Sequence, residues 1–193
     1  MMIDVIQILF LFSVILEMIY LVLFILTKKL PGFRFWPPPK PQSWQFFVSW
    51  LIAGLVAVNF LVLGLLDFDS FILPNLKQRL PFAISLFLIG SLLGSWAFGT
   101  FGLKNTIGVD NKLITGGPYK YSRNPQYIGD SLNIVGYMVL TNSWMIWIIG
   151  LLGVLLNLLA PSIEEPWLEE RYGERYLEYK RRVPRFFGKV GTG

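Results

Sequence analysis

Apolar runs of about 20 residues recur along this chain, and a run of that length crosses a hydrocarbon core of roughly 30 Å as a helix. Composition agrees: of the 193 residues 54% are hydrophobic and only 15% charged, whereas a soluble domain sits near 45–50% apolar and about 25% charged. The chain reads as an all-α integral membrane protein, a single membrane domain over residues 1–193. Residues 1–103 hold three spans with their connectors. Residues 104–193 hold a polar loop, a helical hairpin and a C-terminal helix.

The first run covers residues 5–27 and stops at Lys28-Lys29. It lacks a basic leader and a small-residue cleavage site, so it reads as a span and not as a cleaved signal peptide. A stiff Pro-rich connector follows, LPGFRFWPPPKPQ, and the second span is residues 44–66. A short loop leads to a third span, roughly residues 80–103, and a polar stretch covers 104–126. Residues 127–160 are almost continuously apolar, too long for one ordinary span, and Thr141-Asn142-Ser143 interrupts them, with Trp144 as an interfacial anchor. Folding that run as a hairpin gives about five spans and gathers 15 of the 17 Lys and Arg residues on one side. The positive-inside rule then puts the N-terminus outside and the C-terminus in the cytosol. Residues 127–140 alone rise only about 21 Å. The helix is therefore expected to begin near Pro125 or to be partly re-entrant.

Two absences narrow the chemistry. Without cysteine there is no disulfide, thiolate nucleophile or Cys-ligated metal, and without histidine the commonest general base and zinc ligand are missing. Hydrolase triads and zincin sites are excluded, and no metal is expected. The net charge of +5 flanks apolar spans, so it signals topology and not nucleic-acid binding.

Two clusters carry candidate chemistry. GPYKYSRNPQYIGD, residues 117–130, crowds tyrosines and basic side chains around Asn124-Pro125, an N-cap followed by a proline at the first helical position. That places a helix N-terminus beside Arg123, a setting for a carboxylate or phosphate. It is equally the plain start of a membrane helix edged by an aromatic belt. The second cluster, from Ser162, holds Glu164-Glu165. Ser162-x-x-Glu165 fits a capping box, and a carboxylate pair at the end of a membrane helix can also hold an ammonium group. Residues 168–179 carry Leu168, Tyr172, Tyr176 and Tyr179 near helical spacing, an amphipathic helix on the cytosolic face. Within the spans Glu17, Asn59, Asp130, Asn133 and Asn157 stand at membrane depth. The asparagines suit interhelical hydrogen bonds. Glu17 and Asp130 are site candidates, although Glu17 also suits a packing or oligomer contact.

Read together, G117-P-Y119, R123-N-P-Q-Y127, the hairpin, E164-E165 and Y172-G-E-R-Y176-L-E-Y179-K-R-R-V183-P184 resemble the isoprenylcysteine carboxyl methyltransferase and phospholipid methyltransferase superfamily of membrane enzymes. The likeness covers about the last 90 residues. It implies S-adenosyl-L-methionine as cofactor, with contacts falling on Lys112, Leu113, Ile114, Tyr119, Asn124, Pro125, Gln126, Tyr127 and Glu164. Arg123 is the substrate candidate; Asp130 and Glu165 are the candidates for a proton acceptor. It also implies a lipophilic methyl acceptor entering sideways from the bilayer. Asn124 replaces the motif histidine, and Ala160 stands where the prenylcysteine enzymes hold a carboxylate with arginine. An acceptor with a neutral or amine head is therefore expected over a prenylcysteine. An NADPH-dependent reductase of the sterol and steroid type is the alternative enzyme, favoured by Tyr127-Ile128-Gly129-Asp130. A scaffold whose basic tail binds anionic lipid is the alternative without catalysis.

Overall fold

The computed structural model describes residues 4–106 and 112–188, and among these there is no strand. Helices α1 (Val5–Lys29), α2 (Trp44–Leu66) and α3 (Leu76–Phe101) are followed by the short α4 (Leu103–Thr106), a 3-10 turn (Gly117–Lys120), α5 (Pro125–Thr141), α6 (Trp144–Tyr172) and α7 (Glu174–Arg182). Four of them, α1, α2, α3 and α6, are long and apolar enough to cross a membrane. At 17 residues α5 is shorter, rising about 25 Å. Large apolar side chains cover the outer faces of the long helices, among them Ile8 and Ile15 on α1, Val58 and Leu65 on α2, and Phe82 and Leu92 on α3. Water would not tolerate that much exposed hydrocarbon. The chain is an integral membrane protein.

Local sequence explains where the helices start. Ser43 caps α2 by accepting from Phe46 N, and Asn75 caps α3 by accepting from Gln78 N. With Asn75 as cap, α3 begins at Leu76, about a turn before the expected residue 80, and carries Pro81 inside. At its far end it stops at Gly102, whose φ of 81° few other residues adopt. α5 begins at Pro125, as its length required, and ends with Asn142 in the left-handed region. Ser143 then caps α6 by accepting from Ile146 N.

Three expectations do not survive. Ser162 and Glu165 form no capping box, because α6 runs unbroken past them through Pro161 and Pro166, and the Ser162 hydroxyl donates back to Leu159 O at 2.7 Å. The expected helix over 168–179 is instead divided: α6 ends at Gly173 (φ 54°), and α7 starts there in a new direction. Asn124 holds the N-cap position of α5, but its side chain makes no cap; it donates to Arg185 O at 2.9 Å.

α3 and α5 approach more closely than any other pair in the bundle, and glycine makes that possible. A Cβ on Gly129 would lie 2.8 Å from Gly90 O and from Gly94 N, and one on Gly90 would lie 2.6 Å from Asn133 Oδ1. Gly90-x-x-x-Gly94 is the small-residue stripe that lets two membrane helices meet backbone to backbone. The three intramembrane asparagines serve as interhelical bonds, as their type suggested: Asn59 donates to Leu9 O and Ser13 Oγ at 2.6 Å, Asn133 accepts from Ser91, and Asn157 donates to Ser131. α6 packs on α1, α2 and α5 and forms the hub of the bundle.

Candidate active site

One end of the bundle gathers three stretches distant in sequence: the Pro-rich connector, the loop before α5, and the tail. They meet at the Glu164-Glu165 pair: the connector's Trp36 reaches Glu164, and Glu165 ties the loop to the tail. The Glu165 carboxylate accepts from Arg123 at 2.8 Å and from Arg185 at 2.6 and 2.8 Å, with Lys180 at 3.6 Å. The Glu165 and Arg123 side chains are only 6% and 8% exposed. The backbone repeats the connection, because Arg123 N donates to Pro184 O at 2.9 Å and Ser122 Oγ to Arg185 O at 3.1 Å. The R-N-P and V-P motifs, sixty residues apart, are thus one structural unit. The Arg185 guanidinium is held further above its ordinary range by its hydrogen bond to Glu165.

Beside this knot lies a cavity of about 130 Å³. Lys112, Leu113, Ile114, Tyr119, Asn124, Gln126, Tyr127 and Glu164 all line it, as do Arg123 and Glu165. Of the positions the resemblance marked for the cofactor, Pro125 alone does not; it is buried at the start of α5. Aromatic walls come from Tyr119, stacked on Phe101 at 5.2 Å, and from Tyr176 and Tyr179. The Tyr179 hydroxyl donates to Tyr119 O at 2.7 Å. Burial pushes the Tyr119, Tyr176 and Tyr179 hydroxyls well above the ordinary phenol range, so all three stay protonated.

Glu164, beside Glu165 on α6, has different partners. Its Oε1 accepts from the Trp36 indole and from the Tyr127 hydroxyl. Both donors are neutral, whereas the hydrogen-bond partners of Glu165 are cations. Trp36 is a site residue that sequence reasoning missed. Its signal was there: a tryptophan inside a Pro-rich connector, Phe35-Trp36-Pro37, where Phe35 is completely buried against Phe24 and Ala160.

Trp36 and Tyr127 also border two further spaces. An apolar chamber of about 520 Å³ lies among α1, α2, α5 and α6, and contains Glu17, Asp130, Asn157 and Ala160 in its lining. A cleft of about 500 Å³ lies between Trp50 of α2 and Gly94, Ser95 and Phe98 of α3, over Asp130 and Asn133 of α5. Asp130 therefore faces the chamber and the cleft but does not line the Glu164 cavity. Glu17, remote in sequence, is buried in the same chamber. No cluster of acidic side chains suited to a metal occurs among the described residues.

The chemistry of the cavity suits S-adenosylmethionine. A carboxylate countered only by neutral donors suits the ammonium group, apolar and aromatic walls suit adenine, and the α5 N-terminus suits a carboxylate. Its volume is below the roughly 300–1,000 Å³ of a small-molecule site, so a whole nucleoside requires the walls to part.

Residues 79–175 match the family model described as phospholipid methyltransferase, half of the chain. The chain is 28% identical over 140 residues to phosphatidylethanolamine N-methyltransferase B of Dictyostelium discoideum, covering 68% of this chain and 70% of that one. It is 31% identical over 122 residues to protein-S-isoprenylcysteine O-methyltransferase B of Arabidopsis thaliana (58% and 61%). It is 30% identical over 106 residues to a steroid 5-alpha-reductase of Solanum lycopersicum (53% and 40%). The last two are thus matched over less than two thirds of their own lengths. No solved structure matches. The matched segment contains α5, the Glu164-Glu165 pair and the close α3–α5 contact, and by it the chain belongs to the phospholipid methyltransferase family.

Proposed function

We propose that this protein is an S-adenosylmethionine-dependent methyltransferase acting on a lipophilic acceptor at the cytosolic face of the membrane. The observation that carries the reading is the placement of Glu164, Trp36 and Tyr127: they form one hydrogen-bonded cluster between a polar-ended aromatic cavity and an apolar intramembrane chamber. A methyl donor on one side and an acceptor with an apolar tail on the other would meet at that cluster.

The bound cofactor supplies an electrophilic methyl group. The chain's part is to hold and align. Glu164 receives the ammonium, the tyrosine walls exclude water, and the α2–α3 cleft admits a tail from the bilayer. Alignment and dryness supply much of the catalysis when the electrophile is already reactive. Arg123 and Glu165 hold each other, so we assign them to support of the cavity wall. Asp130, facing the chamber, is the better proton acceptor for an amine or hydroxyl acceptor. Ala160 sits in a buried apolar cluster with Phe24 and Phe35, with no group to receive a carboxylate head, and the acceptor head is read as neutral or amine.

In this reading α5 is the fourth of five spans, and the basic connectors and tail face the cytosol. Single cysteines at Lys40 and Lys120 should react from one side and one at Ser70 from the other; reaction of all three from the same side overturns the topology. For the function, the purified protein titrated by calorimetry should bind S-adenosylmethionine and not NADPH. The reductase alternative requires the reverse, and the scaffold alternative requires neither.

A further inference from the structure

Glu17 has no role so far. It lies midway along α1, 4% exposed, in the lining of the chamber, and no hydrogen bond reaches its buried Oε2. Of the other polar side chains in the chamber lining, Asn133 accepts from Ser91, Asn157 donates to Ser131 and Tyr137 donates to Leu61 O. Gly153 of α6 makes room for it, since a Cβ there would stand 3.5 Å from Glu17 Oε1. A polar atom left without a partner in a low-dielectric interior is costly. Intramembrane carboxyl groups are kept where they meet a ligand or a partner.

Its depth says what kind of ligand. Gly153, which faces Glu17, is eleven residues before Glu164 on the same helix, about 16 Å away at 1.5 Å per residue. Glu17 is therefore too far from the Trp36–Tyr127–Glu164 cluster to touch the head that receives the methyl group. It meets the tail. Resting on the proposal that the chamber takes the acceptor, we infer that this acceptor is bipolar: its apolar chain carries a second hydrogen-bond donor, a hydroxyl or an amine, about three helical turns from the head, and Glu17 receives it. A plain acyl or alkyl tail would leave Oε2 unpartnered.

The test offers purified protein an equimolar mixture of dodecylamine, 12-aminododecan-1-ol and dodecane-1,12-diamine, and reads the bound masses by native mass spectrometry. The heads are identical and only the far ends differ. Wild type should carry one or both of the bipolar probes about tenfold over dodecylamine, and Glu17→Leu should abolish that preference. Glu17→Gln separates the two donors, keeping preference for a hydroxyl and losing preference for an amine. Val56→Phe, which narrows the chamber from α2, should reduce carriage of all three. Equal carriage by wild type, or a preference that persists in Glu17→Leu, overturns the inference. S-adenosylmethionine binding measured on the same samples keeps the two ideas apart: its absence in wild type defeats the methyltransferase proposal, while its presence with no bipolar preference defeats only this one. Retained cofactor binding also verifies that each variant is folded.

Discussion

The two ends of the bundle are both polar, and they are built to opposite purposes. At the end away from the cavity, Asn142 donates to Asp69 Oδ1 and Phe71 O and accepts from Leu73 N. Asp69 also pairs with Arg79 at 2.8 Å, Arg79 donates to Pro74 O and Leu140 O, and Ser143 donates to Asp67 at 2.5 Å. These bonds fasten the α2–α3 loop to the α5–α6 corner, and none of their side chains lines the cavity, the chamber or the cleft described above. At the other end Glu165 is likewise met by cationic side chains, but immediately beside it Glu164 is met only by the neutral donors Trp36 and Tyr127 and lines a cavity. Adjacent carboxylates thus divide by role. A carboxylate met by cations holds structure together; one met only by neutral donors at a cavity is available for a cationic ligand.

The sharpest way to break that division is Glu165→Gln. Arg123 would be left buried without its counterion, and breaking such a pair by removing one partner costs about 3–5 kcal/mol. We expect a large fall in thermal midpoint, with cofactor binding lost as the knot opens. A variant that stays as stable as wild type would show that the knot is decoration. Glu164→Gln should do the reverse. Its amide oxygen can still accept from Trp36 and Tyr127, so stability should change little, while loss of a charge-assisted contact worth about 1.5–3 kcal/mol weakens S-adenosylmethionine binding roughly 10- to 100-fold. Calorimetry and thermal denaturation on both variants read the contrast directly; unchanged affinity in Glu164→Gln would remove Glu164 from the cofactor's contacts.

The smallest effect belongs to the opposite end. The Asn142 hydrogen bond, helped by Arg79, holds the Asp69 carboxyl below the ordinary aspartate range. A folded value below the unfolded one, about 3.9, means that Asp69 contributes stability above that pH and loses it as pH falls through the folded value. The difference in thermal midpoint between wild type and Asp69→Asn should therefore be present near neutrality and shrink below about pH 4. A gap that stays constant through that window would show that Asp69 acts by shape and not by charge.

Much of this protein was legible in one dimension because the bilayer imposes local rules. Apolar run length located α1, α2 and α6, and the Asn124-Pro125 pair marked the start of α5. Charge asymmetry grouped the connectors that the structure brings together at Arg123, Trp36 and Arg185. Of the positions that resemblance marks, Lys112, Leu113, Ile114, Tyr119, Asn124, Gln126, Tyr127 and Glu164 line one cavity and Pro125 does not. What local patterns say nothing about is partnership. Ser162 and Glu165 have the spacing of a cap, yet α6 continues through two prolines because packing on α1, α2 and α5 holds it. Trp36 and Glu17 lie 128 and 136 residues before Glu164 and Gly153, and no periodicity connects them. Run length, charge and turn chemistry act over a few residues and so are written in the sequence. Which carboxylate is neutralised and which is left to face a cavity depends on long-range packing, and only the tertiary structure decides it.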